Sequence, residues 1–437
     1  MSNLLPEGWR NETIGSFAKL QGGYAFKSSD SVQSGIRWLK IANVGKGKIN
    51  WNDQNYLSSD FEEIYTNFML EQGDTVIALT RPITQGELKV AQIRSSDVPS
   101  LLNQRVARVL PKQHLVDRHF MYSVFRYEAI ARDIEITIFG TDPPNISTKQ
   151  IEEIKVAFPP LPEQQKIAAI LTSVDDVIEK TQAQIDKLKD LKSGMMQELL
   201  TKGVGIKQGD SANGKSYIPH SEFKDSPVGR IPKSWEVVKL GDTGKWRGGG
   251  TPSKTNKEFW SGSIPWVSPK DMKLDLISRT QDHVSAKAIK ESSTNLIPKG
   301  SLLMVVRSGI LQHTLPVAIA GCDLTVNQDI KALTVSERYD TRFIFHYLKA
   351  HNHKVLRATL KAGNTVESID FNEFSKFVIP SPPFEEQVKI ADLVDSVANK
   401  ISSKVSKLNQ TSNLKKALMQ DLLTGKVRVK VDNDSVV

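Results

Sequence analysis

The chain has 437 residues, 39% hydrophobic and 24% charged, with a formal net charge of +9, a composition that fits a globular protein of about two to four domains. No run of 18 apolar residues occurs, and MSNLLPEGWR has no apolar segment, so the expectation is a cytoplasmic protein without a membrane span. A single cysteine, Cys322, excludes an internal disulfide and any multi-cysteine metal site.

In chain order, a first globular segment is expected over 1–158. β-Branched runs at Thr75 to Leu79 and Arg105 to Leu110 read as strands. Val116 to Ile134 reads as a helix whose Phe120 and Phe125 face a core. Asp142-Pro143-Pro144-Asn145 follows in a polar loop. In enzymes that methylate DNA amino groups, an acidic or amide residue, two prolines and an aromatic ring grip a flipped base. Here Asn145 stands in place of the ring and no F-x-G-x-G cofactor loop accompanies it, so the plain reading is a connecting loop.

Residues 159–203 read as one long helix. After its entry prolines the segment has no further proline and only Gly194. Apolar residues at Leu171, Val174, Ile178, Ile185, Leu188 and Leu199 are spaced by threes and fours with one position skipped, the seam of a coiled coil. A helix of about 40 residues is roughly 60 Å long, and so narrow a stripe needs a partner helix.

The stretch 204–230 is rich in Gly, Ser and Lys and reads as a connector arm. It holds Gly209 to Ser216, GDSANGKS, which fits a phosphate-binding loop by pattern. Such a loop must leave a strand and open a helix. Here KGVGIKQ precedes it and YIPHSEF follows, so nucleotide binding is not expected.

A second globular segment, 231–381, has strands at Leu302 to Val306 and Ile330 to Val335, and a helix at Thr341 to His353 with Phe343 and Tyr347 inward. Gly248-Gly249-Gly250 lacks a strand-helix frame and reads as a tight turn. His346, His351 and His353 lie close in sequence without cysteine or paired carboxylates, so no metal site is expected. Residues 382–426 form the second long helix, with its seam at Val394, Val397, Ile401, Leu408, Leu418 and Leu422, and 427–437 is a tail.

The second helix repeats the first without a gap at an offset of 223, as Glu163/Glu386, Gln164/Gln387 and Ile167/Ile390 show. Both copies place a lysine, Lys192 and Lys415, where a seam residue should be. Such shared imperfections argue for duplication, and the natural partner of each helix is the other copy. The repeat extends into the globular segments. Trp9, Gly22 and Gly23 return as Trp235, Gly248 and Gly249, GDTVIALTR from Gly73 parallels GSLLMVVR from Gly300, and Asn103-Gln104 parallels Asn327-Gln328. The fold expected is α+β: two globular mixed domains, each followed by a long helix, the helices pairing as an antiparallel coiled coil.

Charge is unevenly divided, with 21 Lys and Arg against 14 Asp and Glu in 231–380 but 18 of each in 1–155. A basic second domain fits a polyanionic partner. Arg reads guanine by paired hydrogen bonds and Lys more often holds phosphates. On that chemistry the DNA-contact candidates beside polar or Gly-rich loops are Lys27, Arg81, Lys89 and Arg105 in the first domain, and Arg247, Lys254, Lys257, Lys270 and Arg307 in the second.

The unit IPKSWEVVKLG from Ile231, its weaker form LPEGWRNETIG from Leu5, and the PPLPEQQKIAAIL that follows a domain resemble the specificity subunit of type I restriction-modification systems over almost the whole chain. The resemblance implies two target recognition domains and two conserved helices. It implies a subunit that binds double-stranded DNA and performs no chemistry itself. Two methyltransferase subunits carrying S-adenosylmethionine would dock along the helices, and restriction subunits using ATP and Mg would join them. The alternative is a coiled-coil scaffold or adaptor with no DNA partner.

Overall fold

The computed structural model describes residues 5–140, 142–211, 214–361 and 366–431, with backbone alone for 208–211 and 214–216. The chain forms two compact units, Met1–Ala183 with Ser406–Val437, and Gln184–Val405. Each unit therefore contains one globular domain, the start of the helix that follows it and the end of the other long helix.

In the first unit one sheet runs Ala18–Gly22, Val106–Pro111, Thr75–Ala78, Val90–Gln92, antiparallel throughout. A second sheet places Ser100–Leu102 parallel to Ile36–Leu39 and continues through Tyr56–Leu57 to Ser31–Val32. Thr75, Val76, Ile77 and Ala78 are all buried, so this strand has apolar matter on both faces and no alternation.

The second unit repeats the plan. Gly244–Gly248, Ile330–Val335, Leu302–Val305, Val317–Ala320 and Leu276–Ile277 form one sheet. Ile264–Val267 lies parallel to Leu324–Val326 in the other. Register is repeated as well, Ala107 opposite Gly22 and Lys331 opposite Gly248. Each domain is closed by pairing its entry strand with the strand that leads into its helix, Arg10 opposite Phe158 and Glu236 opposite Ser381.

The single helices expected at Val116 to Ile134 and Thr341 to His353 are each two. Arg118–Phe125 breaks before Glu128–Thr137, and Thr341–Ala350 breaks before Asn352–Thr359. Tyr127 is extended at ψ 134°, and the turn it makes brings Phe120 and Phe125 into one core with Ile130 and Ile134. One straight helix could not bury both pairs. Asp117 and Asp340 start the leading helices by accepting the amides of His119 and Phe120, and of Arg342 and Phe343, as N-caps do. The connector arm is also more built than expected, with a hairpin of Ile206–Ser211 against Gly214–Ile218 and a short pair at Phe223–Lys224 and Ile231–Pro232.

The long helices span Leu161–Lys202 and Phe384–Leu423. In the first unit, Ile167, Ala168 and Leu171 share a core with Met419, Leu422 and Leu423. In the second, Leu200 shares one with Ile390. Early residues of one helix meet late residues of the other in both units, so the helices run antiparallel. Of the seam, Leu171, Ile185, Val394, Val397 and Leu422 are buried, while Val174, Ile178, Leu188, Leu199, Ile401, Leu408 and Leu418 are half-buried. Leu200 is more deeply buried than its neighbour Leu199.

Lys415, one of the seam lysines, is buried with Nζ 2.6 and 2.7 Å from the two carboxylate oxygens of Asp175. Asp175 also accepts from Arg126, at 3.0 Å. Burial and the Arg126 charge push the Lys415 ammonium down to about 8 from 10.5, against the pull of Asp175. The unfolded chain therefore holds this proton more tightly than the folded one. The resulting cost is fully present below about pH 8 and is relieved as pH rises toward 10.5. Compared with Lys415→Met, the wild type should gain about 2 kcal/mol of stability between about pH 7.5 and 9.5, measured by denaturant titration at each pH.

Candidate nucleic-acid interface

Each unit presents a loop edge built around a turn that begins with asparagine. In the first, the Asn103 amide donates to Leu39 O at 3.1 Å, and Asn103 Oδ1 accepts the Arg105 amide at 3.1 Å. The chain beyond Gly22 then crosses this turn, with the Tyr24 amide on Leu102 O at 2.9 Å and the Gln104 amide on Tyr24 O at 2.9 Å. The second unit does the same with Asn327. Its amide donates to Val267 O at 2.9 Å, its Oδ1 accepts the Asp329 amide at 3.0 Å, and the Gly250 amide donates to Val326 O at 3.0 Å. The crossing is tight enough to require glycine. A Cβ at Gly23 would lie 2.3 Å from the carbonyl oxygens of Leu102 and Asn103, and one at Gly249 would lie 2.0 Å from Val326 O. The repeated asparagines and glycines are thus parts of one device that sets the loops at the sheet edge.

The first edge gathers Arg81, Lys89 and Arg105. The Leu79 amide donates to Arg105 O, the Arg81 amide to Pro144 O at 2.7 Å, and the Lys89 amide to Pro82 O at 2.7 Å. Arg81 sits in the left-handed region at φ +47°, a conformation costly for a residue with a side chain. Burial, then the nearby Arg81 charge, lowers the pKa of Lys89, so two cations are held together at this edge. Lys27 is exposed on the loop after Tyr24, its amide bonded to Asp30 Oδ2 at 2.7 Å. The Asp142–Asn145 loop serves as a backbone support here. Pro144 O receives Arg81, and Asn145 Nδ2 donates to Pro143 O at 2.9 Å.

The second edge carries Arg307, whose Nε donates to Asp329 Oδ1 at 2.7 Å, while Asn327 Nδ2 donates to Asp329 Oδ2 at 3.1 Å. Asp329 occupies the turn position that Arg105 holds in the first unit. Arg247 is exposed on the strand opposite Ala332. Lys254 is exposed on the loop that leaves Gly250, and Lys270 on the loop that leaves Val267. Lys257 lies farther along, opening the turn Lys257–Trp260 that Asn256 caps.

Two residues that sequence reasoning passed over also belong to these edges. Tyr24 is 39% exposed beside the Asn103 turn, with its ring 4.5 Å from that of Tyr65, and a ring so placed can stack on a base or ribose. Lys331, paired with Gly248, holds its Nζ 4.2 Å from the Phe371 ring. The aromatic residue straight after a glycine pair was the available signal for the first. Lys331 had none, because the Phe371 ring it covers lies 40 residues away.

The phosphate-loop pattern at Gly209 to Ser216 falls on the two paired strands of the connector, Ile206–Ser211 and Gly214–Ile218, with a strand and not a helix after it, and its Ala212 and Asn213 lie outside the described residues. Of the three histidines, His346 is buried with Nε2 2.8 Å from Asp395, and His351 bonds Tyr347 O at 3.0 Å. No helix among the described residues is long and apolar enough to cross a membrane.

A duplicated α+β module, each copy carrying a basic loop edge and its own long helix, defines the class of protein. The family model for the type I restriction modification DNA specificity domain matches residues 6–190 and again 232–411, and the chain belongs to that family. It is 42% identical over 40% of its length to the Escherichia coli EcoR124I/EcoR124II specificity subunit, covering 41% of that protein. It is 34% identical over 46% of its length to the MjaVIII specificity subunit of Methanocaldococcus jannaschii, covering 48% of it. The match thus spans less than half of either relative. A match over 98% of the chain and 95% of the relative, at 26% identity, is to an M. jannaschii protein assigned as the MjaX specificity subunit. Among solved structures, the S subunit of a type I restriction-modification system from M. genitalium has the same fold, with TM-score 0.60 and 14% identity over 96% of this chain and 98% of that one.

Proposed function

We propose that the chain is the DNA-recognition subunit of a type I restriction-modification complex in the cytoplasm, each unit reading one half of a bipartite, asymmetric site in double-stranded DNA. The observation that carries this reading is the duplicated asparagine turn, which holds cations at the same sheet edge in both copies while the surrounding residues differ. A conserved frame with different side chains is what two unlike half-sites require. Arg81, Arg105 and Arg307 are the base readers in this account, Arg307 with its Nε engaged by Asp329 so that the terminal nitrogens can address a guanine. Lys27, Lys89, Arg247, Lys254, Lys257 and Lys270 hold phosphates. The chain itself does no chemistry. Two methyltransferase subunits with S-adenosylmethionine dock along the paired helices, and ATP- and Mg-dependent restriction subunits complete the assembly.

Fluorescence anisotropy with a duplex carrying the mapped site and a scrambled duplex tests these roles. Arg307→Ala should cost about 1–3 kcal/mol on the specific duplex and relax preference at one position. Lys270→Ala should weaken both duplexes alike and flatten the salt dependence by about one phosphate contact. A scaffold with no DNA partner would bind neither duplex at any salt concentration.

A further inference from the structure

The two units carry related pockets that differ in their carboxylates: Glu87, Glu128 and Asp175 line the first, and no acidic residue lines the second. In the first, a cavity of about 570 Å³ has Arg126, Asp175 and Lys415 in its wall. In the second, a cavity of about 590 Å³ has Lys192, His346 and Lys349 in its wall. At the offset of 223, Lys192 corresponds to Lys415 and Lys349 to Arg126, so the cation pair is kept. The carboxylate between them is not: Asp175 corresponds to Ala398, and Glu128 of the first pocket corresponds to His351. In the first unit Asp175 bridges both cations, at 3.0 Å from Arg126 and 2.6 Å from Lys415.

In the second unit the nearby acids are already engaged. Asp395 accepts from His346 Nε2 at 2.8 Å and from Arg342 at 3.4 Å, and Asp275 pairs with Lys349 at 2.6 Å. Lys192 makes no hydrogen bond or ion pair among the described residues, and burial together with the Lys349 charge lowers its pKa. The His346 side chain is 3% exposed, and its Nδ1 has no hydrogen-bond partner. A buried polar atom without a partner is uncommon and calls for an explanation. Ser193 and Gln197 add neutral side chains that can donate to the same wall, while the Thr201 hydroxyl is spent on Gln197 O at 2.6 Å.

We propose that this pocket binds the phosphate group of a small phosphorylated molecule, with Lys192 holding it directly and Lys349 turning to it from Asp275. Charge-assisted bonds from two ammonium groups suit a phosphate oxygen set, and the cavity has room for a ligand larger than the phosphate itself.

The test is calorimetric titration of the full chain with inorganic phosphate and with AMP at constant ionic strength in chloride. Saturable binding at one site is expected. Ala398→Asp, which restores the carboxylate of the first copy, should weaken it at least about tenfold, and Lys192→Met should do the same. Tighter binding of AMP than of phosphate would assign a phosphomonoester with a larger body, and equal binding would assign the phosphate alone. Either supports the site. The proposal is overturned if neither probe binds, if Ala398→Asp and Lys192→Met bind as the wild type does, or if a short random duplex displaces the probe, which would assign the pocket to the DNA backbone.

Discussion

Replacing Glu386 with alanine is expected to lower the stability of the second unit by about 3–5 kcal/mol. Glu386 is 4% exposed and gathers four donors. These are Trp235 Nε1 at 2.9 Å, His220 Nε2 at 3.0 Å, and the amides of Val204 and Gly205 at 2.9 and 3.1 Å. It therefore ties the start of the distal helix to the entry segment of its own domain and to the chain leaving the central helix. Alanine would leave those donors unsatisfied in a buried site. The equivalent residue, Glu163, receives Trp9 Nε1 at 3.2 Å and the half-exposed Arg428 guanidinium. Glu163→Ala should cost less, about 2 kcal/mol. Denaturant unfolding followed by hydrogen exchange at the Val204 and Gly205 amides checks both. Equal losses in the two variants, or no loss of amide protection in Glu386→Ala, would refute the assigned role.

The second large effect concerns the loop edge. Gly249→Ala should cost about 3 kcal/mol and abolish specific DNA binding, because the new Cβ would lie 2.0 Å from Val326 O and 2.3 Å from Asn327 O. Both are backbone atoms, so the strand edge itself would have to part. Gly248→Ala is the control. Only Lys331 Nζ, 4.0 Å away, meets its Cβ, and the change should stay within about 0.5 kcal/mol. Thermal melting and duplex binding of the two variants would separate steric demand from mere loss of chain freedom. Equal behaviour would mean that the glycine pair is not needed for close approach.

The parts of the fold that sequence exposes are those whose signal is repeated. The gapless offset of 223 between the long helices, and the return of Trp9 as Trp235, identify a duplication before any coordinate is known. The structure gives the repeated polar residues their physical reason. Gln164 and Gln387 make the same three bonds, accepting the Asp117 or Asp340 amide and donating to two backbone carbonyls.

What stayed hidden depends on tertiary contact. The breaks at Tyr127 and His351 interrupt stretches whose apolar spacing continues through them, so periodicity could not show them. Leu199 and Leu200 differ by about 100° around the helix, too fine a distinction for a seam drawn from threes and fours. The buried lysine at 415 read only as an imperfection, because its partner Asp175 lies 240 residues away. At the loop edges, chemistry named the cations, yet Arg307 acquires meaning only once the Asn327 turn sets Asp329 beside it, and Arg81 only once the short hairpin of Ile83–Thr84 and Glu87–Leu88 folds Lys89 back toward it.

Co-expression with the cognate methyltransferase subunit, followed by mapping of methylated adenines in host DNA, tests the central claim most directly. The account predicts one bipartite motif that appears only when this chain is present, and of which one half alone changes when residues 231–381 are exchanged for those of another family member. Co-purification of the subunits with no motif, or a change in both halves on exchanging one domain, would contradict it.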